Sequence, residues 1–85
     1  MLSFRYVIEG EHGIHARTAA LLAKEAMKYE SEILVKKDDK TADAAQLMEM
    51  MELTAEYGQM VEVVISGKDE EEAYQGMKRV FEKNI

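Results

Sequence analysis

The apolar residues of this 85-residue chain switch repeatedly between a period of two and a period near 3.6, and few folds accommodate that switching. In LSFRYVI (2–8), Leu2, Phe4, Tyr6 and Ile8 fall on one side, with Ser3 and Arg5 on the other. That is a strand with one buried face. After the turn residues of EGEHG (9–13) the period changes. Ala19, Leu22, Ala23 and Ala26 form a single helical stripe, and this helix is expected to end near Lys28–Glu30. EILVK (32–36) is a second strand, KDDK (37–40) a hairpin turn, and residues 40–43 a short third strand. ADAAQLMEMMEL (42–53) reads as a short helix, with Asp43 and Gln46 spaced as a capping box. Gly58 closes the next turn, MVEVVIS (60–66) is a strand with Val61, Val63 and Ile65 inward, and Gly67 ends it. Asp69 and Glu72 mark the start of a last helix that buries Ala73, Met77, Val80 and Phe81. The order β-α-β-β-α-β-α, with clean alternation in the strands, implies an α+β fold: an antiparallel sheet with helices on one face.

Length and charge narrow the function. Residues 1–85 suffice for one domain, and so short a chain keeps a thin margin of stability. A net charge of −6 argues against a nucleic-acid partner. The longest apolar run, AALLA (19–23), is far too short for membrane insertion. With no cysteine and no basic-then-apolar leader, a cytoplasmic location is expected.

Two features carry chemistry. His15 stands directly before the first helix, with Arg17 two residues on. The amides of Ala16, Arg17 and Thr18 then belong to a first turn without intrahelical acceptors, at the positive end of the helix dipole. An imidazole there can act as a nucleophile near neutral pH, and Arg17 suits phosphate oxygens. The plainer alternative is a surface or capping histidine. His12 and His15 also make an H-x-x-H pair, but two imidazoles without cysteine fall short of the four ligands of a closed zinc site, so no metal is assigned. The second feature is the helix around 47–53. Met50 and Leu53 pair on one face, and Leu47, Met48 and Met51 on an adjoining one. Either all five are core, or the second face is an exposed docking surface of flexible methionines.

GIHAR (13–17) together with LMEMMEL (47–53) resembles the HPr family, the histidine-containing phosphocarriers of the bacterial sugar phosphotransferase system. The resemblance runs through nearly the whole chain, including DKT (39–41) and SGKDEEEA (66–73). It implies an open-faced β-sandwich, a four-stranded antiparallel sheet of order 1-4-2-3 covered on one face by three helices. It implies that His15 is phosphorylated at Nδ1 by Enzyme I at the expense of phosphoenolpyruvate, and that the group passes to a IIA domain. Arg17 would assist, Leu47, Met48 and Met51 would dock both partners, and Arg17, Ala20 and Lys24 would line the adjoining helical face. No cofactor is implied, the chemistry of turnover belongs to the partners, and a monomer is expected.

Five positions depart from that pattern. Thr18 stands where the family usually has proline, which restores a backbone N–H and gives up a fixed φ. Gln46 occupies the place of a regulatory serine and cannot be phosphorylated. Glu49 and Glu52 add negative charge beside the docking face, and Thr54 replaces a common glycine. These departures suggest a divergent paralogue. They keep open an alternative, a regulatory module of the same fold that docks partners through the second helix without phosphotransfer. A small-ligand sensor is a third and weaker reading, since no cluster of polar residues marks a pocket.

Overall fold

A computed structural model describes residues 1–85. Its elements are β1 (Leu2–Val7), α1 (Ala16–Ala26), β2 (Glu32–Lys37), β3 (Lys40–Asp43), α2 (Leu47–Glu52), β4 (Met60–Ser66) and α3 (Glu70–Asn84). The strands form one sheet in the order β1-β4-β2-β3, every neighbour antiparallel. The three helices cover one face. Beneath them lie Phe4, Ile33, Val35, Val61, Val63 and Ile65, all buried, each two residues from the next inward residue of its strand. On the open face Glu62 lies in register with Arg5 on one side and Lys36 on the other, an arrangement of opposite charges that supports that register.

The helical stripes behave as the periodicity predicts. Ala19, Leu22, Ala23 and Ala26 of α1 are buried, as are Ala73, Met77 and Phe81 of α3, with Val80 half-buried at the edge. Phe81 anchors an aromatic cluster. Phe4 meets it edge-on with ring centroids 5.7 Å apart, Tyr6 does so at 5.5 Å, and Tyr74 stands edge-on to Phe4 at 5.3 Å. Where α1 crosses α3, Gly76 leaves room for the Tyr29 hydroxyl, which donates to Glu25 Oε2 at 2.6 Å. That bond pushes the Tyr29 phenol up to about 12 and pulls the Glu25 carboxyl down.

Two helix boundaries differ from the sequence reading. α1 ends at Ala26, with Met27 as its C-cap, so Lys28–Glu30 lie beyond it. α2 starts at Leu47 with Gln46 as N-cap, not near residue 42. Ala42 and Asp43 complete β3, and the Asp43 carboxylate accepts the Ala45 N–H at 2.9 Å, a local turn that competes with helix. The Asp43–Gln46 capping box therefore does not form; Glu49 Oε1 instead accepts the Asp43 N–H at 2.9 Å.

Nor does the Asp69–Glu72 box form. Asp69 is the N-cap of α3, but its carboxylate makes no cap bond there. It accepts the Glu30 N–H and the Ser31 N–H, each at 2.9 Å, and the Ser31 hydroxyl at 2.5 Å. The Ser31 hydroxyl bond, followed by the Glu30 amide, holds the Asp69 carboxyl below its ordinary value. A lowered carboxyl stabilises the fold above the unfolded value, about 3.9, and that contribution disappears as pH falls through the folded value. Asp69→Asn is accordingly expected to lower the urea midpoint near neutral pH, with the gap to the unmodified chain closing below about pH 4. A gap of constant size down to about pH 3 would show that the charge plays no part.

Candidate functional site

The site is built on the segment between β1 and α1. Gly10 and Gly13 fold it into a turn, with the Gly13 N–H donating to the Gly10 carbonyl at 3.0 Å. The Ile85 carbonyl at the end of α3 accepts the N–H groups of Glu9 and Gly10, at 3.1 and 2.6 Å. Gly13 has φ +63° and lies against the backbone of Ala55 and Glu56, so closely that a Cβ would overlap the Ala55 carbonyl. The next residue, Ile14, donates its N–H to that carbonyl at 2.8 Å and buries its side chain in the core. With Ile14 drawn inward, His15 is presented at the surface.

His15 is the N-cap of α1, in extended conformation (φ −123°, ψ −171°) and half-buried. Its carbonyl accepts the Ala19 N–H at 2.7 Å, the first bond of the helix. Its ring takes the reciprocal place of a capping box with Thr18 but makes no side-chain cap hydrogen bond. The amides of Ala16, Arg17 and Thr18 belong to the first turn, where a helix offers them no intrahelical acceptor. Ala16 and Arg17 are exposed, and the Arg17 guanidinium has no hydrogen bond or ion pair within the chain. These groups together can hold a tetrahedral dianion, with the amides as fixed donors and the guanidinium as a mobile clamp.

Thr18 does more than supply an amide. It is 2% exposed, and its Oγ1 accepts the His15 N–H at 3.0 Å while lying 3.3 Å from both the Gly13 and His15 carbonyls. The hydroxyl thus fixes the backbone that carries His15. The sequence reading weighed the restored N–H and the lost fixed φ but not the hydroxyl; the spacing of a threonine three residues after the cap was the available signal.

The second helix does not put all five of its apolar residues in the core. Met50 and Leu53 are buried, whereas Leu47, Met48 and Met51 are exposed. Ala20 and Lys24 are exposed on α1, on the same side as Arg17 by helical spacing, and α1 packs against α2. Glu49 is tied to the Asp43 amide; Glu52 is exposed. The His12 ring stands edge-on to His15, centroids 5.9 Å apart, and no third histidine, cysteine or acid is grouped with them as a metal site. No helix is long and apolar enough to cross a membrane.

The fold and the histidine-capped helix define an open-faced β-sandwich of the phosphocarrier type. A family model described as the PTS HPr component phosphorylation site matches residues 2–83, and the chain belongs to the HPr family, phosphocarriers of the phosphotransferase system. Among its relatives, the phosphocarrier protein HPr of Mycoplasma genitalium is 36% identical over 85 residues, covering 99% of this chain and 97% of that one. The HPr-like protein Crh of Halalkalibacterium halodurans is 37% identical over 71 residues, 84% of each chain. The crystal structure of HPr from Thermoanaerobacter tengcongensis superposes with a TM-score of 0.92 at 36% identity, covering 98% of this chain and 93% of that one. The HPr dimer from the same organism matches with a TM-score of 0.77 at 37% identity, over 92% and 90%. The strand order 1-4-2-3 and the three helices on one face agree with the sequence reading.

Proposed function

We propose that this chain is a cytoplasmic, monomeric phosphoryl carrier that accepts a phosphoryl group on His15 from Enzyme I and delivers it to a IIA domain. The observation that carries this reading is the half-buried, uncommitted imidazole at the mouth of α1, next to three first-turn amides and an unpaired guanidinium. A ring nitrogen of His15, Nδ1 by the family likeness, attacks phosphorus as the donor's bond to phosphorus breaks. The amides of Ala16, Arg17 and Thr18 and the Arg17 side chain take up the negative charge. The same steps run in reverse onto the acceptor. Such transfer needs positioning and charge stabilisation, which a surface site provides once a partner excludes water. Leu47, Met48 and Met51, with Ala20 and Lys24, form the face on which the partner closes.

A regulatory module that docks without carrying phosphate is the second reading. It is favoured by the likeness to Crh. Incubation with Enzyme I and phosphoenolpyruvate separates the two. The carrier gains an acid-labile phosphoryl group, and His15→Ala loses that gain to background with its circular dichroism unchanged. An unmodified chain that stays unphosphorylated would favour the module. A gain that survives His15→Ala would move the site to His12.

A further inference from the structure

The chain has two histidines, and the transfer described above uses one. The other is not remote: the rings of His12 and His15 meet edge to face at 89°, with centroids 5.9 Å apart. His12 is exposed and forms no hydrogen bond within the chain, so both of its ring nitrogens are uncommitted. We infer that protonated His12 is a second cationic clamp, with Arg17, that holds the phosphoryl group while it rides on His15, and so links retention of that group to pH. The inference rests on His15 being the acceptor.

The geometry allows this contact. A phosphoryl group on His15 sets its oxygens two bonds beyond the ring nitrogen, and the exposed His12 ring, its centroid 5.9 Å from that of His15, is free to turn an N–H towards them. An imidazolium offers two donors and a charge, and its bond to a dianion is charge-assisted. No covalent change is needed: the proton stays on His12, and the N–P bond stays on His15. Histidine alone among side chains makes such a contact conditional near neutral pH.

The charges around His12 permit the switch. Its own loop contributes Glu9 and Glu11. α1 and its cap contribute Arg17 and His15. The α2–β4 segment under Gly13 contributes Glu56, and the end of α3, which holds the loop through Ile85, contributes Glu82 and Lys83. Phosphorylation adds the only dianion in this set. By linkage, protonation of His12 and phosphorylation of His15 then favour each other equally.

The test is an NMR titration of the His12 ring before and after phosphorylation by Enzyme I and phosphoenolpyruvate. The expected result is an upward move of the His12 titration midpoint by at least about 0.3 pH unit, a twofold coupling. In parallel, His12→Gln is expected to be phosphorylated on His15 but to lose the matching part of the pH dependence of phosphoryl retention, and His12→Lys to hold the group across the pH range. If the unmodified chain is phosphorylated and the His12 midpoint moves by less than that, the inference falls and the carrier reading stands. If the unmodified chain is not phosphorylated, both fall.

Discussion

Gly13→Val is expected to cost about 2–5 kcal/mol of stability and to slow phosphoryl acceptance at least tenfold in whatever fraction remains folded. Two independent penalties add. At φ +63° an L-residue sacrifices about 1–2 kcal/mol, and a β-branched one has the least freedom to adapt. The new Cβ would also overlap the Ala55 carbonyl and lie 2.8 Å from Glu56 Cα, and backbone atoms cannot rotate out of the way. Relief requires the segment to lift, which breaks the 2.8 Å bond from Ile14 to Ala55 and withdraws Ile14 from the core. Against a total stability of about 5–15 kcal/mol this is a large share. The loss also falls on the backbone that aims His15, so function suffers beyond stability. Gly58 supplies the control. Its φ is +84°, but an added Cβ meets nothing within 4 Å, so Gly58→Ala should show the conformational penalty alone, about 1 kcal/mol, with acceptance unchanged. Urea denaturation and the initial rate of phosphorylation measure both. Equal effects at the two glycines would mean that the contact with Ala55 is irrelevant.

The parts of this fold that were legible in the sequence are those set by neighbours along the chain. Alternation placed the first and last strands, because a one-residue slip would expose each strand's entire buried set, and the hairpin turn placed the short third strand. The helical stripe placed α1, and its start placed His15 at the cap, since the first apolar residues fix where the turn begins. The order 1-4-2-3 was a different matter: the pattern gave an antiparallel sheet with one covered face, and the order itself came from the family likeness. What escaped the sequence was decided across it. Asp69 reads as a helix cap, yet Glu30 and Ser31, nearly half the chain away, offer it three donors. Asp43 reads as a helix start, yet β2 claims it as a strand partner through Leu34.

Thr54 shows the same limit at the end of α2. It sits at φ +51°, where glycine would be at ease, and the fold supports this with a buried lysine from β2. Lys37 Nζ donates to the Thr54 carbonyl at 3.0 Å, with Gln59 Oε1 at 3.3 Å. A carbonyl at a helix end needs a donor, and an ammonium there also meets the negative end of the helix dipole. No local pattern announces a lysine that reaches over from another strand.

The proposed docking face gives the largest separation of function from stability. Met48→Gln with Met51→Gln is expected to leave stability within about 0.5 kcal/mol, because both side chains are exposed, Met48 at 67%. The same double variant should slow phosphoryl acceptance at least tenfold, read as a rise in KM for phosphorylated Enzyme I. Glutamine keeps length and charge but replaces an adaptable apolar contact, and about 1.4 kcal/mol of lost docking energy is enough for a factor of ten. Met50→Ala should do the reverse. Met50 is fully buried, and truncation leaves a cavity that costs about 2–5 kcal/mol, while the folded fraction still accepts phosphate at the normal KM. The two substitutions lie one or two residues apart on a helix of six, so only the direction of each side chain distinguishes them. If the double variant is destabilised as much as Met50→Ala, the exposed methionines are structural. If it is stable and takes up phosphate at an unchanged KM, the partner closes elsewhere, and the approach to His15 must run over α1 alone.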